Sequence, residues 1–254
     1  PIETAGFVVY VVSLQSERIS MTCYFQGCSE AGVTKEHIPP RSFFPDGEKE
    51  QLLTVKSCER HNNAKSKDDL YVLAHICMNA SPSNRAREVF MNKVAPQLEF
   101  NNGALRKKLA QGAVPLSNGA VKYKVDMTRL DDFFTALSCG IIFKSSSSAL
   151  PANYEISHVF HNFSNEADIQ LQEIEDAINH FYAGKPMDFM EFGDPDARNQ
   201  KIYTATIFGI PAFQSSITIV HRFFGTFKVT SMLTRVIAAE LANKPLHPTA
   251  YGGG

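Results

Sequence analysis

An α+β fold is what this 254-residue sequence predicts, on three observations. Residues 126–143 and 166–182 suit helices, the second amphipathic, with Ile169, Ile174, Ile178 and Phe181 on or near one side. Residues 201–210, 215–221 and 226–233 suit strands and follow one another across turns, which predicts an antiparallel sheet. Residues 22–58 are turn-rich and carry three of the five cysteines. Apolar residues make up 44% and charged residues 20%, enough to bury a core and enough to exclude a disordered or low-complexity chain.

Along the chain, residues 6–14 are an apolar segment too short to span a bilayer and without a cleavage site, so they make a poor signal peptide. Met21 reads as the natural start, with residues 1–20 an extension that is not native. Residues 21–81 form a first module: a knuckle, two short strands around a loop, and a helix over 59–80. Ser81-Pro82-Ser83 breaks that helix and caps another over 83–94. Residues 82–119 form a helical connector with a short basic helix at 104–110, closed by a loop from Gly112 to Gly119. Residues 120–243 form a mixed α+β domain, with a linker at 145–148 and a strand at 154–163, and 244–254 read as a disordered tail.

The net charge of −1 excludes a chain that coats nucleic acid throughout. The charge is zoned, however. From Pro82 to Arg129 there are nine Lys/Arg against Glu88, Glu99 and Asp126, whereas residues 130–199 are strongly acidic. The basic block, with Arg106, Lys107 and Lys108 at its centre, reads as a phosphate-backbone footprint or as a solvated helical face. No apolar run reaches membrane-spanning length, so no membrane partner is expected.

Chemistry concentrates near the front. Cys23-x4-Cys28 is followed, after 29 intervening residues, by Cys58-x2-His61. Two close pairs separated by a loop allow tetrahedral closure around a structural Zn²⁺. His61 has an alternative role as a catalytic metal ligand, leaving three cysteines to zinc. Cysteines used this way fit a reducing, cytoplasmic setting rather than a disulfide scaffold. Between the pairs lies Glu36-His37-Ile38-Pro39-Pro40-Arg41, and after them Asn62-Asn63-Ala64-Lys65-Ser66.

Those motifs resemble the HNH (ββα-metal) endonuclease family over about residues 22–70 and say nothing of residues 120–254. The resemblance implies a treble-clef-like nuclease module that hydrolyses phosphodiester bonds in DNA. His37 would be the general base, since an imidazole titrating near neutrality suits deprotonation of water. Glu36 and Asn62 would hold Mg²⁺ or Mn²⁺ through oxygen, with Asp68 and Asp69 in reserve. Arg41 and Lys65 would bind phosphate. Three positions depart from the family pattern. Glu36 stands where Asp is commoner, His61 where Cys is commoner, and no central Asn is evident, Gln51 or Thr54 lying nearest. The alternative is a zinc-stabilised nucleic-acid-binding module without catalysis, with residues 120–243 as a sensor or partner-binding domain. A homo-oligomer is left open.

The remaining histidines and cysteines suggest packing. His75 lies on a helix, and His158 and His161 fall on opposite faces of a strand. His180, His221 and His247 are isolated. Cys77 and Cys139 read as small buried hydrophobes, and Phe223-Phe224 as core.

Overall fold

A computed structural model describes residues 22–45, 52–66, 68–117, 119, 121–163, 168–184, 187–192, 202–209, 213 and 216–236. The expectations for residues 1–21 and 244–254, and for Gln51, lie outside the described residues.

The front of the chain forms an antiparallel hairpin, β1 (Thr34–Ile38) and β2 (Leu53–Ser57), followed at once by α1 (Glu59–Ser66). β1 alternates, with Glu36 and Ile38 buried and Lys35 and His37 on the other side. α1 has no apolar stripe. Its sequence ERHNNAKS cannot anchor it by burial, so its anchorage falls to the Cys58-x2-His61 pair at its start.

The helix expected over 59–80 is two helices. The chain turns at Asp68 and restarts as α2 (Asp69–Asn79), whose residues Tyr71 to Cys77 are all buried. The Asp68 carboxylate is spent on an ion pair with Arg129 rather than on a cap. α3 (Asn84–Val89) is capped as expected, the Ser83 hydroxyl accepting from the Ala86 N–H at 3.2 Å, and continues as a wider turn over Phe90–Val94. α4 (Phe100–Leu109) starts with Asn101, Asn102 and Gly103 in the left-handed region, so its regular part matches the basic helix expected at 104–110. The loop at 112–119 carries a two-residue ladder, β3 (Val114–Pro115) with β4 (Val121–Lys122).

α5 (Met127–Ser146) is the central element. It runs into the first half of the segment expected as a linker, and Ser147, in the left-handed region, ends it. One side meets α2 and the β1–β2 hairpin, and the other meets a five-stranded antiparallel sheet. The sheet is made of β5 (Tyr154–Phe160), β6 (Met187–Phe192), β7 (Tyr203–Phe208), β8 (Ile217–Phe223) and β9 (Phe227–Arg235), in the order β5-β9-β8-β7-β6. β6 joins the strands expected from sequence. α6 (Asp168–Tyr182) lies against the opposite face, where the Tyr182 hydroxyl is 3.1 Å from Thr218 Oγ1.

The front module and the α+β domain share one apolar core. Phe43 stacks on Phe133 of α5 at 5.3 Å and meets Phe223 of β8 at 5.7 Å. Gln26 Nε2 donates to the carbonyls of Pro151 at 2.9 Å and Tyr154 at 2.7 Å. Gly140 lets α5 pass directly over Ile38, because a Cβ there would lie 1.8 Å from Ile38 Cδ1. The loop at 112–119 therefore does not divide the core. Among the described residues no helix is long and apolar enough to cross a membrane.

Candidate metal centre and the hairpin around it

The knuckle is built by backbone hydrogen bonds. The Cys28 N–H donates to Phe25 O at 3.1 Å and the Cys23 N–H to Glu30 O at 2.9 Å. Gly27, at φ 66°, takes the left-handed turn that brings Cys28 back despite the wide x4 spacing. The Tyr24 N–H donates to Lys56 O at 2.9 Å and docks the knuckle on β2.

This folding gathers Cys23, Cys28, Cys58 and His61, whose ligand atoms all lie within 4.8 Å of one another. Cys28 Sγ is 4.0 Å from Cys58 Sγ. His61 Nδ1 is 3.4 Å from Cys23 Sγ and 3.2 Å from Cys58 Sγ. Tetrahedral zinc with sulfur ligands needs sulfurs about 3.8 Å apart. The donors and spacing therefore fit Zn²⁺, and His61 belongs with the cysteines. Burial pushes the Cys58 thiol up to about 11. A bound cation would offset that burial by stabilising the thiolate. Burial, then the Arg60 charge, holds the His61 imidazole below its usual range, which keeps it neutral for ligation. Phe25 stacks on the His61 ring at 4.2 Å and 15° and fixes its plane. Sequence pattern missed Phe25, although it stands two residues after Cys23.

His37 lies half-buried on the outer side of β1, with Thr54 directly opposite on β2. Partial burial and then the Arg41 guanidinium lower its pKa, while the Glu36 charge opposes them. Arg41 is exposed in a short 3₁₀ turn, Arg41–Phe43. Asn62 is half-buried in the first turn of α1, its N–H donating to Cys58 O at 3.1 Å. Lys65 lies on α1, and its side chain is outside the described residues.

Glu36 differs from expectation. The strand pleat turns it to the side opposite His37, where it is 6% exposed and lies beside the Tyr24 phenol, whose pKa burial and then the Glu36 charge raise. Adjacency in sequence therefore does not place Glu36 and His37 on one face. Asp69 opens α2, and Asp68 is engaged by Arg129.

The basic connector is partly neutralised. Arg85 pairs with Glu88 at 2.8 Å, Arg106 with Glu99 at 2.6 Å, and Arg129 with Asp126 at 2.9 Å. Arg106, Lys107 and Lys108 are all exposed on α4. No protein-family model, curated protein or solved structure matches this chain.

Proposed function

We propose that this chain is a metal-dependent endonuclease of the HNH type that hydrolyses phosphodiester bonds in DNA. One observation carries the proposal. A Cys₃His cluster ties a β-hairpin to the helix that follows it, with His37 half-exposed on the hairpin and Asn62 in the helix's first turn. His37 would take a proton from the attacking water, and its lowered pKa keeps it neutral and able to do so at physiological pH. Arg41, whose charge reaches His37, would hold a phosphate oxygen. Mg²⁺ or Mn²⁺, when bound, would stabilise charge on the phosphate and the leaving oxygen. Asn62 offers it an oxygen, while Glu36 does so only by turning out of its buried position. The exposed Arg106, Lys107 and Lys108 would contact backbone phosphates. Thiols used as metal ligands fit a reducing, cytoplasmic setting.

The burial of Glu36 favours a second reading: a zinc-stabilised nucleic-acid-binding module that does not cut. Plasmid cleavage in Mg²⁺ or Mn²⁺ separates the two. The nuclease reading expects wild-type cleavage and a loss of roughly 10²–10⁴ in His37→Ala, with zinc content and DNA affinity unchanged. DNA binding without cleavage in either cation leaves the binder.

A further inference from the structure

A short arm leaves the fold where α4 ends. The ladder of β3 with β4 pairs Val114 with Lys122 and Pro115 with Val121, and every described residue from Gln111 to Lys122 is exposed. A two-stranded hairpin with no buried face is marginal in water by itself. Its root, however, is anchored on both sides. The Lys124 N–H donates to Gln111 O at 3.2 Å, and Gly112, at φ 67°, turns the chain out of α4. Asn79 Nδ2 donates to the Tyr123 hydroxyl at 2.7 Å, and Leu109 and Val125 pack against the core. Val114, Leu116 and Val121 are nevertheless 44–55% exposed, so folding gains little from their apolar surface. Charge surrounds them. Residues 100–125 hold Arg106, Lys107, Lys108, Lys122 and Lys124 and no acid. Both arm lysines are exposed, and Arg106 is shared with Glu99 just before α4.

We propose that this arm lies in the major groove of duplex DNA. The inference rests on the nucleic-acid reading above and holds whether or not the chain cuts. Paired strands stand about 4.8 Å apart, so a two-stranded ribbon with its side chains fills the roughly 12 Å major groove and is too wide for the roughly 6 Å minor groove. Lys122 and Lys124, with Lys107 and Lys108 at the root, meet backbone phosphates. Leu116 and Val121 meet thymine methyls, the apolar feature of that groove.

Fluorescence anisotropy of the full chain with an A·T-rich duplex tests it, in Mg²⁺-free buffer so that nothing is cut. Replacing every thymine by uracil removes the methyls and keeps the phosphates. It should weaken wild-type binding roughly fourfold or more. The double variant Leu116→Ser with Val121→Ser should bind both duplexes equally. Lys122→Gln with Lys124→Gln should lower the salt slope of the binding constant by about 2 and keep the thymine preference. Both variants change exposed positions and should melt like wild type. Equal wild-type affinity for the two duplexes overturns the proposal, as does an unchanged salt slope in the lysine variant. A thymine preference that persists in the serine variant comes from DNA shape and also overturns it. The nucleic-acid reading survives all three results, whereas wild-type protein that binds neither duplex overturns both. A wild-type dimer that the serine variant converts to monomer in sedimentation assigns the arm to a second copy and overturns the DNA placement.

Discussion

Histidine is used in two opposite ways on the two sides of α5. At the hairpin end, His61 sits among three thiols, donors that repel one another once ionised and that a cation such as Zn²⁺ would hold together. At the sheet end, His158 and His221 form a network that is complete without one. His158 Nε2 lies 3.0 Å from Thr135 Oγ1, and its Nδ1 lies 2.8 Å from Ser231 Oγ. That same serine oxygen is 3.0 Å from His221 Nε2, and His221 Nδ1 is 2.6 Å from the Tyr203 hydroxyl. Hydroxyls can donate or accept, so a buried histidine among them is satisfied while neutral. Thiols around a histidine are not satisfied in this way. The contrast teaches that the partner's chemistry, more than the histidine, separates a metal ligand from a core residue.

The largest expected effect follows from the thiol side. Chelation, or Cys58→Ser, should release one Zn²⁺ per chain and melt the hairpin and α1. Because Ile38 and Phe43 reach the α5–sheet core, the loss should lower the melting temperature of the whole chain. Metal analysis beside a circular-dichroism melt measures both. Zinc-free protein that melts normally would abolish the contrast.

The buried histidines outside the cysteine cluster, on α2 and on the sheet, should respond to protons instead. Burial holds His75 and His158 down to about 4 and His221 well below its usual value. Unfolded histidines titrate near 6.5. Between pH 6.5 and about 4 the unfolded chain therefore binds more protons, so stability is full above 6.5 and falls as the pH drops. Acid would also strip a metal held by the Cys₃His cluster, so the sharper test is His75→Phe, which is outside that cluster and sits between Tyr71 and Tyr123. It should remove up to about 1.4 kcal/mol per pH unit from the slope of unfolding free energy. An unchanged slope in urea melts at pH 5 to 7 would show that His75 is not held neutral.

Legibility in the sequence followed the range of the forces involved. The four candidate ligands were legible because a knuckle and a helix start are local, and Gly27 takes the left-handed turn within the unusual x4 spacing. The antiparallel sheet was legible from strands such as β7, whose buried and half-buried residues alternate cleanly. The break at Asp68 was not, because Arg129, 61 residues later, draws its carboxylate away. β6 was missed because the sequence MDFMEF does not alternate apolar and polar residues, and its strand form comes from pairing with β7. Nor was the shared core legible, since it depends on Gly140 lying over Ile38, and no periodicity in either segment reports that.

That crossing couples the two sides and gives the next effect in size. Gly140→Ala drives a methyl into Ile38 Cδ1 and should cost about 1–3 kcal/mol, as overpacking does. Ile38→Ala alone should leave a cavity. The double variant should recover stability relative to the sum of the singles, because the alanine at 140 fills the space that Ile38 leaves. Strict additivity in urea melts would mean that α5 does not lie on the hairpin there.

The smallest effect concerns His37. Thr54 faces it across the ladder, and both are half-buried on the outer side of the hairpin. A hydroxyl at that position can orient the imidazole, taking the part that the missing central Asn leaves open. Thr54→Val keeps the shape and removes the hydroxyl. A single hydrogen bond of about 1 kcal/mol corresponds to a fall of roughly fivefold in cleavage rate. Zinc content and melting temperature should stay near wild type, and Thr54→Ser should restore the rate by restoring the hydroxyl. Equal rates for the valine and serine variants would reduce Thr54 to a packing residue. A loss approaching that of His37→Ala would instead put the Thr54 hydroxyl in contact with substrate.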